Sequence, residues 1–187
     1  MSPRYEELFA LARPYLDTRE NELHTVVACA MAARLLACHP DADAAVVMPA
    51  VILHDVGWKM VPEELQLSAF GPKMSNQDLR RLHEVEGARI AGDILARAAY
   101  DPLKREAVVR IVDGHDSRDA ALSLDDALVK DADKLWRFTP AGVDVDHRRF
   151  ASTREAHLLW LEGQIDTWLI TETARAIARA QLAEARP

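Results

Sequence analysis

The chain has 187 residues, of which 49% are hydrophobic and 28% charged, so it is long and apolar enough to bury one hydrophobic core without disulfide bonds. This composition excludes an intrinsically disordered chain. The formal net charge is −7 and the sequence has no stripe of lysine and arginine, which excludes a protein that binds duplex nucleic acid.

The spacing of apolar residues predicts an all-α protein without a convincing strand. In the first third of the chain, helices are predicted over residues 5–16, over about 20–38 and after Asp43. Asp43 is a residue type that caps helix N-termini, and the helix after it is apolar on nearly all sides. A helix of this kind belongs at the centre of a bundle, and it carries the pair His54 and Asp55 near its end.

The middle of the chain is predicted as a loop followed by a long helix. Residues 60–75 contain prolines and a glycine, which indicate irregular backbone with one helical turn at most. Ser75 and Asp78 have the spacing of a capping box. The long helix is therefore predicted to open there and to run to about Tyr100.

The rest of the chain is also predicted to be helical. Two helices, of about residues 102–114 and 124–138, each follow a capping residue. After a turn around Gly142, one amphipathic C-terminal helix is expected over about residues 153–183. Since no internal repeat or linker divides the chain, we predict a single domain over residues 1–187.

The cysteines and the N-terminal residues are used to predict the cellular compartment of the protein. Cys29 and Cys38 lie in apolar helical surroundings without a CxxC pair, so we interpret both as buried thiols of a reducing compartment. The first residues lack the apolar stretch of a signal peptide, and no uncharged run approaches the length of a membrane span. We therefore expect a soluble, cytoplasmic protein with no membrane partner.

Four of the seven histidines lie on or at the end of separate predicted helices, beside apolar or small residues: His24, His54, His83 and His115. A metal site in a bundle needs ligands from several helices, because one helix offers only the i, i+3 and i+4 positions to one centre. Imidazole and carboxylate ligands suit Fe, Mn, Zn or Co, and the lack of cysteine ligands argues against a closed structural zinc site. Neighbours such as His54 and Asp55 point about 100° apart on a helix, so both reach a metal only over the face between them or when the aspartate bridges two metals.

These residues lie in a recognisable order along about residues 20–138. The segments concerned are Glu20-Asn-Glu-Leu-His24, Leu53-His54-Asp55-Val-Gly-Trp-Lys59, His83-Glu-Val-Glu-Gly87-Ala88, Ile111-Val-Asp-Gly-His115-Asp116 and Leu128-Val-Lys-Asp131-Ala-Asp133-Lys-Leu135. The order His…His-Asp…His…His…Asp on successive helices resembles the HD-domain superfamily of metal-dependent phosphohydrolases. The resemblance implies a helical bundle of the HD-domain type.

The resemblance also implies one or two divalent transition-metal ions (Fe, Mn, Zn, Co or Ni). One ion would be held by His24, His54, Asp55 and a late aspartate. His83 and His115 would complete a second position, with Asp55 as the bridging ligand.

Two residues compete for the role of the late aspartate. The family pattern of Ala-Asp followed by a large apolar residue two positions on matches Asp133. Asp133 also follows Val129 by one helical turn, whereas Asp131 lies about 200° further round the helix. We favour Asp133 and keep Asp131 as the alternative.

The implied reaction is hydrolysis of a phosphate ester or anhydride of a small, nucleotide-like substrate by a metal-activated hydroxide. Asp55 is assigned to the catalytic site, and Lys59 and Arg118, which closely follow histidine ligands, are predicted to meet phosphate oxygens. Two other functions stay open: a mixed-valent di-iron oxygenase of the HD type, and a degenerate HD module that only binds. The sequence also leaves open whether the last helix packs on the core or forms a homodimer interface.

Overall fold

The computed structural model describes residues 2–71 and 74–186, and within these ranges the chain forms helices and no strand. The α-helices in the described ranges are α1 Pro3–Ala12, α2 Asn21–Cys38, α3 Ala44–Leu53, α4 Glu63–Gln66, α5 Gln77–Arg97, α6 Pro102–Val112, α7 Leu124–Leu135, α8 Pro140–Arg149, α9 Arg154–Trp168 and α10 Glu172–Ala185. Short 3-10 helices at Arg13–Tyr15, Val56–Met60 and Trp136–Phe138 follow α1, α3 and α7. The all-α prediction is confirmed.

Helix α3 lies at the centre of the fold. Every residue from Val46 to Leu53 is buried, and the helix packs against α1, α2, α6 and α7. A helix that is apolar on all sides is stable only when neighbours cover each face, which is why the prediction of a central helix is met. The consequence for the site is that His54 and Asp55, which follow α3 directly, lie deep inside the molecule.

The first helix was predicted over residues 5–16, but α1 spans Pro3–Ala12 and a 3-10 helix follows it. At the later predicted helices, the capping residues agree with the structure except at α5. The side chain of Asp43 accepts a hydrogen bond from the amide of Ala45 at 2.8 Å and caps α3. At α5 the cap is Asn76, whose side chain accepts from the amide of Leu79 at 3.1 Å, so the prediction of Ser75 as the cap was wrong. The backbone amide of Ser75 donates to the carbonyl of Ser68, which holds this residue in the preceding turn.

The prediction for residues 139–185 was wrong in its element count. Gly142 lies inside α8, where its amide donates to the hydroxyl of the capping residue Thr139. A Cβ atom at Gly142 would clash with the carbonyl oxygen of Trp136, so this glycine serves close packing and not a turn. The expected single C-terminal helix is divided into α9 and α10, with Thr171 as the cap of α10.

Two smaller expectations were tested by burial and local structure. Cys29 is buried, but Cys38 is exposed because it is the last residue of α2. The loop of residues 60–75 contains the helical turn α4, and its Pro72 lies outside the described residues.

Among the described residues, no helix combines the length and the apolar character needed to cross a membrane.

Candidate metal centre

The predicted metal ligands lie where α2, α3, α5, α6 and α7 converge. Each exposes 7% of its surface or less. They are His24 in the first turn of α2, His54 and Asp55 after α3, His83 on α5, His115 after α6, and Asp133 on α7. The six predicted ligands thus come from five helices or helix ends, with His54 and Asp55 sharing the end of α3, as a metal site in a bundle requires.

Three of these side chains, those of His24, His54 and Asp133, place one ligand atom each in a close group, and a carboxylate oxygen of Asp55 lies beside the two histidines. The Nε2 atoms of His24 and His54 are 2.8 Å apart. Oδ2 of Asp55 lies 3.5 and 3.7 Å from these two nitrogens, and Oδ1 of Asp133 lies 3.4 and 3.6 Å from them. Ligand atoms about 2.0–2.2 Å from one ion are separated by about 3 Å or slightly more, so this group fits a single metal ion.

The hydrogen bonds of the histidines leave their Nε2 lone pairs free for a metal. Nδ1 of His54 contacts the carbonyl oxygen of Val51 at 2.7 Å, and Nδ1 of His115 contacts that of Val112 at 2.9 Å. A carbonyl can only accept, so in each ring Nδ1 carries a proton and Nε2 is the nitrogen left to bind a metal. A backbone carbonyl that fixes the tautomer in this way is typical of metal-binding histidines.

Each carboxylate is held so that one oxygen faces the histidines. Nε1 of Trp58 donates to Oδ1 of Asp55 at 3.0 Å, and Nζ of Lys134 donates to Oδ2 of Asp133 at 2.7 Å. The remaining oxygen of each carboxylate faces His24 and His54. These contacts orient the carboxylates before any ligand binds.

The electrostatics of the cluster favour a cation. Burial by itself lowers the pKa of His54, but the charges of Asp55 and Asp133 outweigh it and raise the pKa to about 9. Burial likewise opposes ionisation of Asp55, yet the neighbouring His54 holds the pKa of this carboxyl well below its usual value. Burial lowers the pKa of His24 to about 3. The ionised carboxylates of Asp55 and Asp133 and the strongly basic imidazole of His54 therefore lie together in one buried place. Such an environment is suited to a divalent ion.

A second group of close ligand atoms consists of His54, Asp55 and His115. Nε2 of His115 lies 3.6 Å from Oδ1 of Asp55, the oxygen that faces away from His24. His83 belongs to neither close group, although its ring centroid is only 5.2 Å from that of His115. Both ring nitrogens of His83 are buried without a hydrogen-bond partner among the described residues, which is costly unless a ligand binds them. Its role in a second metal position stays a prediction.

A glycine brings the segment after the His-Asp pair against α5. A Cβ atom at Gly57 would clash with the carbonyl oxygen of His83 and with the backbone of Gly87. With glycine there, the 3-10 helix Val56–Met60 lies directly on α5, and the ring of Trp58 stacks on that of His83 at 4.0 Å. Gly57 therefore sets the relative position of the ligands from α3 and α5.

The two late aspartates point in different directions. The carboxylate of Asp131 accepts hydrogen bonds from the amide of Ile170 at 2.7 Å and from the amide and hydroxyl of Thr171 at 3.0 and 2.7 Å. It thus holds the junction between α9 and α10. Of the two, only Asp133 belongs to a group of close ligand atoms.

The structure does not bring Lys59 to the cluster. Its Nζ pairs with Oδ1 of Asp17 at 2.6 Å, and 44% of its side chain is exposed. The reason is the 3-10 helix, which turns Trp58 inward and its neighbour Lys59 outward.

Arg118 reaches the edge of the site but is engaged in local contacts. Its guanidinium pairs with Asp126 at 3.1 Å and donates to the carbonyl oxygens of Arg110 and Asp113. These contacts brace the turn that carries His115. A contact between Arg118 and substrate stays a prediction.

Residues that the sequence did not single out line a small space over the ligand cluster. The space measures about 20 Å³, room for about one water molecule. Its additional lining residues include the polar side chains Arg19, Asn21, Asp116, Lys134, Arg137 and Arg149. Arg19 and Asn21 are close to His24 in sequence, and Arg137 follows Asp133 by one helical turn; these were the available signals. Arg149 reaches the site only through the packing of α8.

A larger groove of about 390 Å³ adjoins this space. The two share His115, Asp116, Lys134, Arg137 and Phe70. Trp168 and Ile170 also line the groove. Trp168 is the last residue of α9, and Ile170 lies in the break between α9 and α10. The site therefore combines a buried polar cluster with an adjoining, partly apolar groove.

Comparison with known proteins gave one match. A family model described as HD domain matches residues 24–137, which is more than half of the chain and contains all of the predicted ligands. No curated protein and no solved structure matches the chain at a significant level.

Proposed function

Because the chain belongs to the HD domain family, whose members are mostly metal-dependent hydrolases, we propose that it hydrolyses a phosphate ester or anhydride of a small, nucleotide-like molecule. The observation that carries this proposal is the close group of ligand atoms from His24, His54 and Asp133, with an oxygen of Asp55 at 3.5 and 3.7 Å from the two histidine nitrogens. Their geometry and donor types fit one divalent transition-metal ion.

A divalent ion bound by these residues would supply Lewis-acid activation of water and offset charge on the phosphoryl oxygens. The protein contributes orientation and fixed charge. Trp58 holds the carboxylate of Asp55, and Lys134 lies between Asp133 and Asp116, 2.7 Å from an oxygen of each. Burial opposes the charge on Lys134, but these two carboxylates raise its pKa above the usual value, so it stays a cation beside the phosphoryl group and does not act as an acid.

The adjoining groove supports an organic leaving group of nucleotide size. Its volume of about 390 Å³ lies within the range of small-molecule sites. The aromatic rings of Phe70 and Trp168 line it, and rings of this kind can stack on a nucleobase. We thus propose a nucleotide-like substrate from the volume of the groove and from the aromatic side chains that line it.

The oxygenase alternative depends on a complete second metal position. In that case His83 would have to move its ring towards His115 and Asp55, because among the described residues it belongs to no close group of ligand atoms. A one-metal hydrolase needs no such movement, and we favour it for that reason.

The test is metal analysis of the purified protein, paired with a screen of nucleotides and phosphonates. We expect one equivalent of a transition metal per chain, phosphate release from a nucleotide, and loss of both in His54→Ala. The matched control is His39→Ala at the opposite end of α2, which should retain both properties. Two iron equivalents with oxygen consumption on a phosphonate would establish the oxygenase, and a metal-free protein with unchanged stability in His54→Ala would establish a binding module.

A further inference from the structure

The guanidinium of Arg19 is held between two aromatic rings and lacks an anionic partner. Its Cζ lies 4.0 Å from the ring centroid of Trp58 and 3.9 Å from that of Phe70. Nε and Nη1 are shielded from solvent and have no hydrogen-bond partner among the described residues. A buried cation with free N–H groups is costly unless a ligand accepts from them.

Asn21 presents a second free donor to the same space. The residue exposes 2% of its surface, and its Nδ2 is buried without a partner among the described residues. It begins α2, a helix of 18 residues whose first turn is not capped by the side chain of Glu20. The positive end of the helix dipole therefore adds to the attraction for an anion at this point.

The backbone that aims Arg19 is held in place by another arginine. Arg19 and Glu20 have φ angles of 53° and 60°, in the left-handed region that non-glycine residues rarely adopt. Nη2 of Arg149 donates to the carbonyl oxygen of Arg19 at 2.7 Å, and Nη1 of Arg149 pairs with Asp146 at 2.7 Å. This brace from α8 keeps the guanidinium of Arg19 directed at the space beside the ligand cluster.

The charges around this space match those of a dianion. Four cationic side chains line it, namely Arg19, Lys134, Arg137 and Arg149, together with the three carboxylates of Asp55, Asp116 and Asp133. Asp146 pairs with both Arg137 and Arg149, Glu20 also pairs with Arg149, and Arg80 pairs with Asp116. With these partners included, five cationic and five acidic side chains balance when the histidines are neutral. When a divalent ion is added, the site as a whole carries a net charge of about +2. A terminal phosphoryl group carries about two negative charges at pH 7, whereas an internal diester carries one.

We propose that Arg19 and Asn21 form a subsite for the non-bridging oxygens of a terminal phosphoryl group, so that the substrate is a phosphate monoester or the end of a phosphoanhydride chain. The inference rests on the proposed function, and it names the substrate class of the same site. Arg19 donates through Nε and Nη1, which have no partner among the described residues, and Asn21 donates through Nδ2.

The first test uses inorganic phosphate as the probe and does not depend on turnover. Binding to the metal-loaded full chain is measured by titration calorimetry for the wild type, Arg19→Met and Asn21→Leu. We expect the Kd for phosphate to rise about tenfold or more in each variant, with unchanged metal content, since each loses hydrogen bonds to a charged ligand. The control is Arg89→Met, an exposed arginine on α5, which should leave the Kd unchanged.

A second variant guards against a folding defect. Arg19→Lys keeps the positive charge between Trp58 and Phe70 but loses the planar guanidinium and its several N–H donors. It should weaken phosphate binding in the same direction as Arg19→Met, with a melting temperature close to that of the wild type. An unchanged phosphate Kd in folded Arg19→Met and Arg19→Lys would overturn the subsite.

The substrate class is tested with p-nitrophenyl phosphate and bis(p-nitrophenyl) phosphate. We expect faster cleavage of the monoester, and a higher KM for it in Arg19→Met. Preference for the diester would overturn the inference while leaving the phosphohydrolase intact. If no phosphate ester is cleaved but Arg19→Met still abolishes phosphate binding, the subsite stands and the proposed function fails.

Discussion

Asp131 and Asp133 are two positions apart on α7, yet their carboxylates have different partners. Asp133 faces the Nε2 atoms of His24 and His54, whereas Asp131 binds the backbone at the start of α10. An α-helix rotates each residue by about 100°, so side chains two positions apart point in nearly opposite directions. The two aspartates therefore offer a matched pair for testing the ligand assignment.

We expect Asp133→Ala to lose the bound metal, because it removes one of the three ligand atoms from the close group with His24 and His54. Asp131→Ala should keep the metal but lower the free energy of unfolding by about 1–3 kcal/mol, since it leaves buried amide donors unsatisfied. Metal content by mass spectrometry and urea denaturation measure the two effects. The assignment of Asp133 fails if metal is lost in Asp131→Ala and retained in Asp133→Ala.

At the scale of elements, the contact between the 3-10 helix Val56–Met60 and α5 determines the geometry of the site. The contact depends on the absence of a side chain at Gly57, because the atoms in the way belong to the backbone of α5 and cannot rotate aside. It places Trp58 where it both stacks on His83 and donates to Asp55. A local packing change here should therefore reach the metal ligands.

Gly57→Ala is expected to lower the free energy of unfolding by about 3 kcal/mol or more, as overpacking against fixed backbone does. The control is Gly163→Ala on α9, where an added Cβ meets no described atom within 4 Å. Alanine there should stabilise the helix by about 0.5–1 kcal/mol. Equal urea midpoints for Gly57→Ala and the wild type would show that the close approach is not required.

At the scale of the whole molecule, one buried carboxylate couples stability to pH. Glu84 on α5 accepts from the amides of Asp116 and Ser117 at 2.8 and 2.7 Å and from the hydroxyl of Ser117 at 2.6 Å. Burial opposes its charge, but the hydrogen bonds from Ser117 hold the pKa of Glu84 below its ordinary value of 4.5. Since the folded pKa is below the unfolded one, the stabilisation is present above pH 4.5 and is lost as the pH falls through the folded value.

Glu84→Gln should therefore reduce the dependence of the unfolding free energy on pH below about 4.5 and leave the dependence above it unchanged. Urea denaturation at a series of pH values between about 3 and 7 measures both slopes. An identical acid slope in the variant and the wild type would contradict the assigned role of Glu84.

Metal removal is the second prediction for the molecule as a whole. The ligands come from separate helices, so an ion that binds only the folded chain stabilises the entire bundle. We expect a chelator to lower Tm, and restored metal at about 100 times its Kd to return about 2.7 kcal/mol. His54→Ala is the control, because its Tm should no longer respond to the chelator.

Local features of the chain were sufficient to predict the elements around the site. The apolar run of α3 required burial on all sides, and Asp43 supplied the cap that the structure contains. The break between α9 and α10 was missed, because it depends on Asp131, 39 positions before the amide that it binds. The turn predicted around Gly142 was wrong because this glycine is needed for close packing against the backbone of Trp136. The sequence does not distinguish such a packing requirement from a turn.

The sequence alone determined the helical class, the central helix and the order of the candidate metal ligands, because periodicity, capping and the chemistry of side chains are read over a few neighbouring residues. The arrangement in space settled which atoms meet. It directed Lys59 to the surface and brought Arg149 on α8 to a space beside His24. Contacts of that kind arise from the packing of whole helices, and no short stretch of sequence records which side chains such packing brings together.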